Sequence, residues 1–217
     1  MYYSPKKSET NYLSNDIVII LKNDYYKIIS KTFIKKGTII MKEIPQYNLF
    51  GYDNINPIIE MIYIMLQNNS DINIQNMYPR NIITLLNDKN NPYLINLIKD
   101  IKKYPNDKIK KYLLSFDFDT LNKYYLKYLF NAFQMYDSPV LLFNGAMMNH
   151  SCNPNIKFYQ INNAMYFETL TDINKGHELT YSYLRNAHIK SLEEKINYLI
   201  NHYNFKCTCT LCNNIIT

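Results

Sequence analysis

The chain has 217 residues, enough to enclose one substantial core and short enough for one domain carrying an insertion. It holds 22 Tyr and 10 Phe but no Trp, and Asn, Ile and Lys crowd it; this is the imprint of an AT-rich genome, so Asn-rich patches such as Gln67-Asn68-Asn69-Ser70 are not read as sites. The net charge of +6 permits an acidic partner without demanding one, and no apolar run reaches membrane-spanning length and no signal peptide opens the chain, so we expect an intracellular protein, cytoplasmic or nuclear, with no membrane partner.

Residues 1–14 are polar and expected to form a flexible N-terminus. Ile17-Val18-Ile19-Ile20-Leu21 is a β-branched run, Lys22-Asn23-Asp24 a turn, and Tyr26 to Ile29 a second run. Phe33 to Met41 reads as strand, Lys-Lys-Gly turn, strand. The pattern then becomes helical, with Ile58, Ile59, Ile62, Tyr63 and Leu66 at one spacing and Leu94, Leu97, Ile98 and Ile101 at another. Pro57 and Pro92 stand at first turns, and Leu121 to Met135 reads as a further helix. The basic stretch Lys99 to Lys111, with Tyr104 and Tyr112, has the outline of a nucleic-acid surface. A solvated helix face with a Pro-Asn break explains it more simply, so nucleic acid is not expected as a direct partner. Ile156 to Tyr159 and Ala164 to Thr169 form a hairpin across Asn162-Asn163, followed by a β stretch over Leu179 to Leu184. Ser191 to Tyr203 is helical, with Leu192, Ile196, Leu199 and Ile200 on one face and Glu193-Glu194 in the first turn. No internal repeat is visible.

Between these β segments lies the turn-forming heptapeptide Asn149-His150-Ser151-Cys152-Asn153-Pro154-Asn155. The other three cysteines stand together in Cys207-Thr208-Cys209-Thr210-Leu211-Cys212. An extended backbone projects Cys207 and Cys209 to one side, and Cys212 can fold back over them. Cys152 then completes the four thiolates of a closed structural zinc site. His202 is an alternative ligand, four buried free cysteines are the alternative without metal, and Cys152 with His150 could be read as nucleophile and base. Four cysteines taken up by one metal argue for a reducing compartment.

Asn149 to Asn155 resembles the NHSCxPN signature of SET-domain protein lysine methyltransferases. Gly176-His177-Glu178-Leu179-Thr180-Tyr181-Ser182-Tyr183 resembles the second signature, usually GEELTxxY. The tail Tyr203-Asn204-Phe205-Lys206-Cys207-x-Cys209-x2-Cys212 is similar to the cysteine tail that follows the SET domain, above all in the SMYD-like branch; the Cys/His cluster of the MYND zinc module is absent. Ile34-Lys35-Lys36-Gly37 resembles the family's opening hairpins. The resemblance implies a mainly β fold with an α insert: small sheets, a helical insert over about 51–139 within a SET domain over 15–190, then a post-SET helix and zinc-closed tail over 191–217. It implies S-adenosyl-L-methionine (S-adenosylmethionine) as cofactor and methyl transfer to a lysine of a protein, histones among the candidate substrates.

By the same resemblance Tyr183 lies beside the sulfonium and the incoming amine, as both catalytic and cofactor-binding residue. Asn149 and His150 hold the cofactor's amino-acid end and adenine, Phe205 stacks on adenine, and Tyr203 and Phe133 wall the lysine channel. Tyr181, two residues before Tyr183 on an extended strand, projects to the same channel. SMYD-like relatives often have an aliphatic residue there, and a tyrosine hydroxyl would occupy the space of a second methyl, so mainly monomethylation is expected. Tyr25-Tyr26-Lys27 stands where the family has G-x-G, and Lys27 there could offer its ammonium to the cofactor carboxylate. The same replacement motivates an alternative, a catalytically degenerate SET domain serving as an interaction module. His177, where the motif usually has Glu, and His188 are read as solvated.

Overall fold

The computed structural model describes residues 11–22, 25–49, 56–79, 92–184, 191–203 and 205–213. Asn23, Asp24, His188 and Asn204, singled out above, lie outside the described residues, as do residues 1–10 of the expected flexible terminus. The rest of that terminus is ordered into the fold, because Tyr12–Leu13 is a strand and the buried Ser14 donates its N–H to Ile40 O at 2.9 Å. The chain divides into two compact units, Pro45–Ala146 and the residues flanking it on either side.

The flanking residues build small sheets. Strands β2 (Ile17–Lys22) and β3 (Tyr25–Ser30) pair antiparallel with Ile17 opposite Ser30; β9 (Ile156–Ile161) and β10 (Ala164–Thr169) pair likewise with Ile156 opposite Thr169. Each hairpin takes its third strand from the other half. Strand β11 (Glu178–Tyr181) adds to β3, and β4 (Ile39–Glu43) adds to β10. The outer places go to β8 (Asn149–His150), parallel to β11, and β1 (Tyr12–Leu13), antiparallel to β4.

This exchange rests on an internal repeat, contrary to the reading of the sequence. Residues 16–43 align on 155–182 without a gap, around a shared [Ser/Thr]-x-Thr-x-Ile-x-Lys-Gly core at Ser30 to Gly37 and Thr169 to Gly176. The hydrogen bonds repeat as well. Lys31 N–H donates to Asp16 O (2.6 Å) as Leu170 N–H does to Asn155 O (2.8 Å). Gly37 N–H reaches Thr169 O (2.9 Å) as Gly176 N–H reaches Ser30 O (2.8 Å), and Ile34 and Ile173 exchange bonds of 2.9 and 2.8 Å where the halves meet. Both buried hydroxyls turn onto the opposite loop, Ser30 Oγ to Asn174 O (2.6 Å) and Thr169 Oγ1 to Lys35 O (2.7 Å). Gly37 and Gly176 have φ of +80° and +83°, a region that a side chain would strain. The hairpin expected over Phe33 to Met41 is therefore not local: Ile34 bridges Ile173, and the turn at Gly37 sends β4 to the other repeat.

The unit Pro45–Ala146 is largely helical, with α1 (Pro57–Gln67), α2 (Ile72–Asn76), α3 (Pro92–Lys103), α4 (Asp107–Leu113) and α5 (Phe118–Asn131). Asn56 caps α1 by accepting from Ile59 N–H, and Ile59 to Leu66 are all buried, so this helix runs through the unit's core. Asp117 caps α5 in the same way through Thr120 N–H at 2.7 Å. Helix α5 stops at Asn131, short of the expected Met135. Phe133 and Met135 are buried with Gln134 exposed between them, a period of two, and the segment pairs as β6 (Ala132–Met135) with β7 (Ser138–Leu141), which also carries β5 (Tyr47–Asn48). Lys127 is fully buried, and its ammonium donates to Ile74 O, Gln75 O and Met77 O at 2.7, 3.0 and 2.8 Å, closing the end of α2. The tyrosines of the basic stretch face inward: Tyr104 is buried with its hydroxyl on Glu60 at 2.5 Å, and Tyr112 packs between Tyr63 and Phe116. No helix among the described residues is long and apolar enough to cross a membrane.

Candidate active site and metal centre

The heptapeptide 149–155 is fastened to β11 at both ends. Asn149 and His150 pair with Thr180 and Tyr181, and Ser151 N–H donates to Tyr181 O at 3.0 Å. At the far end the Asn155 amide donates to Glu178 O (2.9 Å) and accepts from Thr180 N–H (2.8 Å). Ser151 Oγ closes the turn on the backbone of Asn153, at 2.9 and 3.1 Å. The first signature is thus held by the second. Nothing in the sequence reading gave Asn155 a role, although it is the last residue of the motif.

A charged pair sits where β3 meets β11. Lys27 Nζ lies 2.7 Å from Glu178 Oε2, with about a quarter (26%) of each side chain exposed. Asn149 Nδ2 donates to the other carboxylate oxygen at 2.7 Å and to Tyr26 O at 2.9 Å. The hydrogen bond to Glu178 holds the Lys27 ammonium above its ordinary pKa, overcoming the opposing effect of burial. Glu178 was not among the residues read from sequence, though it stands inside the second signature.

Beyond this pair lies an aromatic cluster. The Tyr183 ring lies 5.0 Å from Tyr181, 5.0 Å from Tyr203, 5.2 Å from His150 and 6.2 Å from Phe205. Its hydroxyl donates to Met148 O at 3.0 Å, and burial raises its pKa, so the phenol stays neutral. Burial likewise raises Tyr181 and pushes Tyr203 up to about 12. Phe158 and Phe167, which the sequence did not single out, pack on Tyr181 at 5.2 and 6.4 Å. The structure therefore brings together Tyr181, Tyr183, Tyr203, Phe205 and His150. Phe133 is buried on β6 in the other unit.

Burial pulls His150 down to about 4, so its imidazole is neutral at neutral pH. Nδ1 accepts the Tyr183 N–H at 3.0 Å, which places the ring proton on Nε2, 3.2 Å from Cys152 Sγ. With a proton already on that nitrogen, the ring cannot serve as base towards Cys152, which removes the nucleophile reading. His150 instead ties the aromatic cluster to the sulfur.

Cys152, Cys207, Cys209 and Cys212 converge, with all four Sγ atoms within 4.8 Å of one another and no disulfide among them. A tetrahedral zinc with bonds of about 2.3 Å would set the sulfurs roughly 3.8 Å apart, so the donor set fits that ion. Burial drives the Cys152 thiol up to about 12. For Cys209 burial is outweighed by hydrogen bonds from its neighbours, and it falls to about 6. A divalent ion bound there would deprotonate the set. His202 is not in this group; it is exposed, and its ring lies tilted against Tyr198 at 4.1 Å. His177 is exposed, as expected. Helix α6 (Leu192–Tyr203) and the short α7 (Thr210–Asn213) adjoin the cysteine cluster, and Leu199 packs with Cys207 and Cys212.

The SET domain family model matches residues 26–184. The chain belongs to the SET-domain family. It is 30% identical over 200 residues to a SET domain-containing protein of Acanthamoeba polyphaga mimivirus, covering 89% of this chain and 76% of that one. It is 35% identical over 69 residues to a SET and MYND domain-containing protein of Dictyostelium discoideum, covering 31% of this chain and 13% of the other. Among solved structures, Rubisco LSMT bound to sinefungin and monomethyllysine superposes with a TM-score of 0.64 at 10% identity, over 89% of this chain. The chain spans about half (52%) of that structure's length. The fold is the SET fold, small sheets with helices, in keeping with the expectation from sequence.

Proposed function

We propose that this protein transfers a methyl group from S-adenosylmethionine to a lysine side chain of a protein substrate. The observation that carries the reading is the packing of the Tyr183 ring among Tyr181, Tyr203, His150 and Phe205, with Asn149, next in sequence to His150, bound to the ion pair of Lys27 and Glu178. When bound, S-adenosylmethionine supplies an electrophilic methyl on a sulfonium. What the chain must do is align, desolvate and neutralise. A lysine amine, with reference pKa about 10.4, must arrive deprotonated, and a sleeve of buried rings disfavours the ammonium form. Since the Tyr183 hydroxyl spends its proton on Met148 O, its oxygen remains an acceptor for an N–H of the entering amine and can orient the nitrogen lone pair.

In this reading Asn149 and Lys27 hold the cofactor's amino-acid end, His150 and Phe205 its adenine, and Tyr203 walls the lysine channel beside Tyr183. The four cysteines would hold one zinc that keeps Phe205 in place. Tyr181, packed against Phe158, Phe167 and Tyr183, restricts the space beside the amine, which favours monomethylation. The tail and the match to a SET and MYND protein support a place in the SMYD-like branch without the MYND module. The substrate is a protein with an accessible lysine, histones included.

The second reading, an interaction module without cofactor, is favoured by one observation: Lys27 and Glu178 close a position that the family keeps open with glycine. Calorimetric titration with S-adenosylmethionine separates the two. Saturable binding supports the enzyme, and its absence the module.

A further inference from the structure

We infer that Lys27 and Glu178 together form a clamp for a zwitterion: Lys27 takes the α-carboxylate of the cofactor's amino-acid end and Glu178 takes its α-ammonium, with Asn149 fixing the Glu178 carboxylate. This rests on the methyl-transfer reading and assigns the ammonium a partner.

The internal repeat supplies a built-in comparison. In the other half of the fold, the positions equivalent to Lys27 and Glu178 are Tyr166 and Ile39. They sit on β10 and β4, which pair as β3 and β11 do. At those two positions that half has no ion pair, so the shared backbone arrangement does not itself require one.

The remaining hydrogen-bonding capacity points to the ligand. Glu178 uses Oε1 for Asn149 and Oε2 for Lys27, and each carboxylate oxygen can accept a further donor. The Lys27 ammonium has three N–H groups, of which one goes to Glu178. A free carboxylate approaching Lys27 would be repelled by Glu178, and a free amine approaching Glu178 would be repelled by Lys27. An α-amino-acid end, carrying both charges on neighbouring atoms, satisfies both at once. A side-chain pair of this kind takes over the work that close backbone approach does where glycine is present.

The test is calorimetric binding of three thioether ligands, so that sulfur carries no charge: S-adenosylhomocysteine, its decarboxylated analogue, and methylthioadenosine, which lacks the amino-acid end. Lys27→Met should weaken S-adenosylhomocysteine about tenfold or more and leave the decarboxylated analogue within about threefold. Glu178→Gln should weaken both amine-bearing ligands about tenfold or more and leave methylthioadenosine within about threefold. Equal losses for all three ligands, or no loss for S-adenosylhomocysteine in Glu178→Gln, would overturn the clamp and leave the methyl-transfer reading standing. If Glu178→Gln does not fold, the wild type still decides: the decarboxylated analogue must bind more tightly than methylthioadenosine, and equal affinities overturn the clamp. Failure of the wild type to bind any of the three overturns the methyl-transfer reading and the clamp with it.

Discussion

Tyr183→Phe separates what the hydroxyl does for the fold from what it does for the reaction. The ring keeps its contacts with Tyr181, Tyr203, His150 and Phe205, and only the oxygen leaves. The fold loses one neutral hydrogen bond, the 3.0 Å contact to Met148 O, at a cost of about 1–2 kcal/mol including the carbonyl left without that donor. For a chain of this size that lowers Tm by roughly 2–8 °C. Turnover should fall by about two orders of magnitude, equivalent to about 2.7 kcal/mol of barrier, because the acceptor that orients the amine is gone. Affinity for S-adenosylhomocysteine should stay within about threefold, since the hydroxyl is assigned to the incoming amine and the ring beside the cofactor is kept. The pH profile is a further check. Burial raises the Tyr183 pKa, so the phenol stays protonated through the alkaline range, and wild-type turnover should rise with pH without a fall from phenolate formation. Thermal melting, calorimetry and single-turnover methyl transfer together read these effects. Full turnover in Tyr183→Phe, or a loss of cofactor affinity matching the loss of turnover, would refute the assigned role.

Three further outcomes are expected. Purified protein should carry about one zinc per chain, and chelation should disorder residues 205–213 and weaken S-adenosylmethionine binding together; metal-free protein that binds normally would break that coupling. Tyr181→Phe should shift the product from monomethyl- towards di- and trimethyl-lysine in mass spectra of a methylated peptide pool, and trimethyl-lysine as the main wild-type product would reject the role of Tyr181. Lys127→Met removes the cation that closes the end of α2 and leaves three carbonyls without their donor, so urea unfolding should show a loss of about 2–4 kcal/mol. Unchanged stability would mean that water replaces the ammonium there.

The site was legible where its chemistry demands particular side chains in a short span. Asn149 to Asn155, Gly176 to Tyr183 and Cys207 to Cys212 each carry a spacing that survives in the sequence, and the aromatic and cysteine groups assemble from them. Glu178 escaped because a carboxylate inside a signature looks like part of its frame until its partner Lys27, far off in the chain, is seen against it. Phe158 escaped because an aromatic on a strand of a tyrosine-rich chain carries no mark of what it faces. The internal repeat was hidden for a similar reason. Its halves share few residues, and those that geometry fixes are fewer still: a hydroxyl at Ser30 and Thr169, an Ile at the bridge, and a Gly with positive φ. The surrounding residues diverged with the different surfaces they cover. Strand exchange also defeats local reading, since nothing near Phe33 to Met41 tells that β4 pairs across the chain. At Asn131 the change of period spans only four residues, too few to outweigh the helical run before it.

The most direct test of the account is transfer itself. Wild-type protein is incubated with S-adenosylmethionine carrying an isotopically labelled methyl group and a pool of cellular proteins, and the products are digested and read by mass spectrometry beside a Tyr183→Phe control. Label on lysine side chains that is largely lost in the control is the predicted result. Saturable cofactor binding without label on any lysine would contradict it.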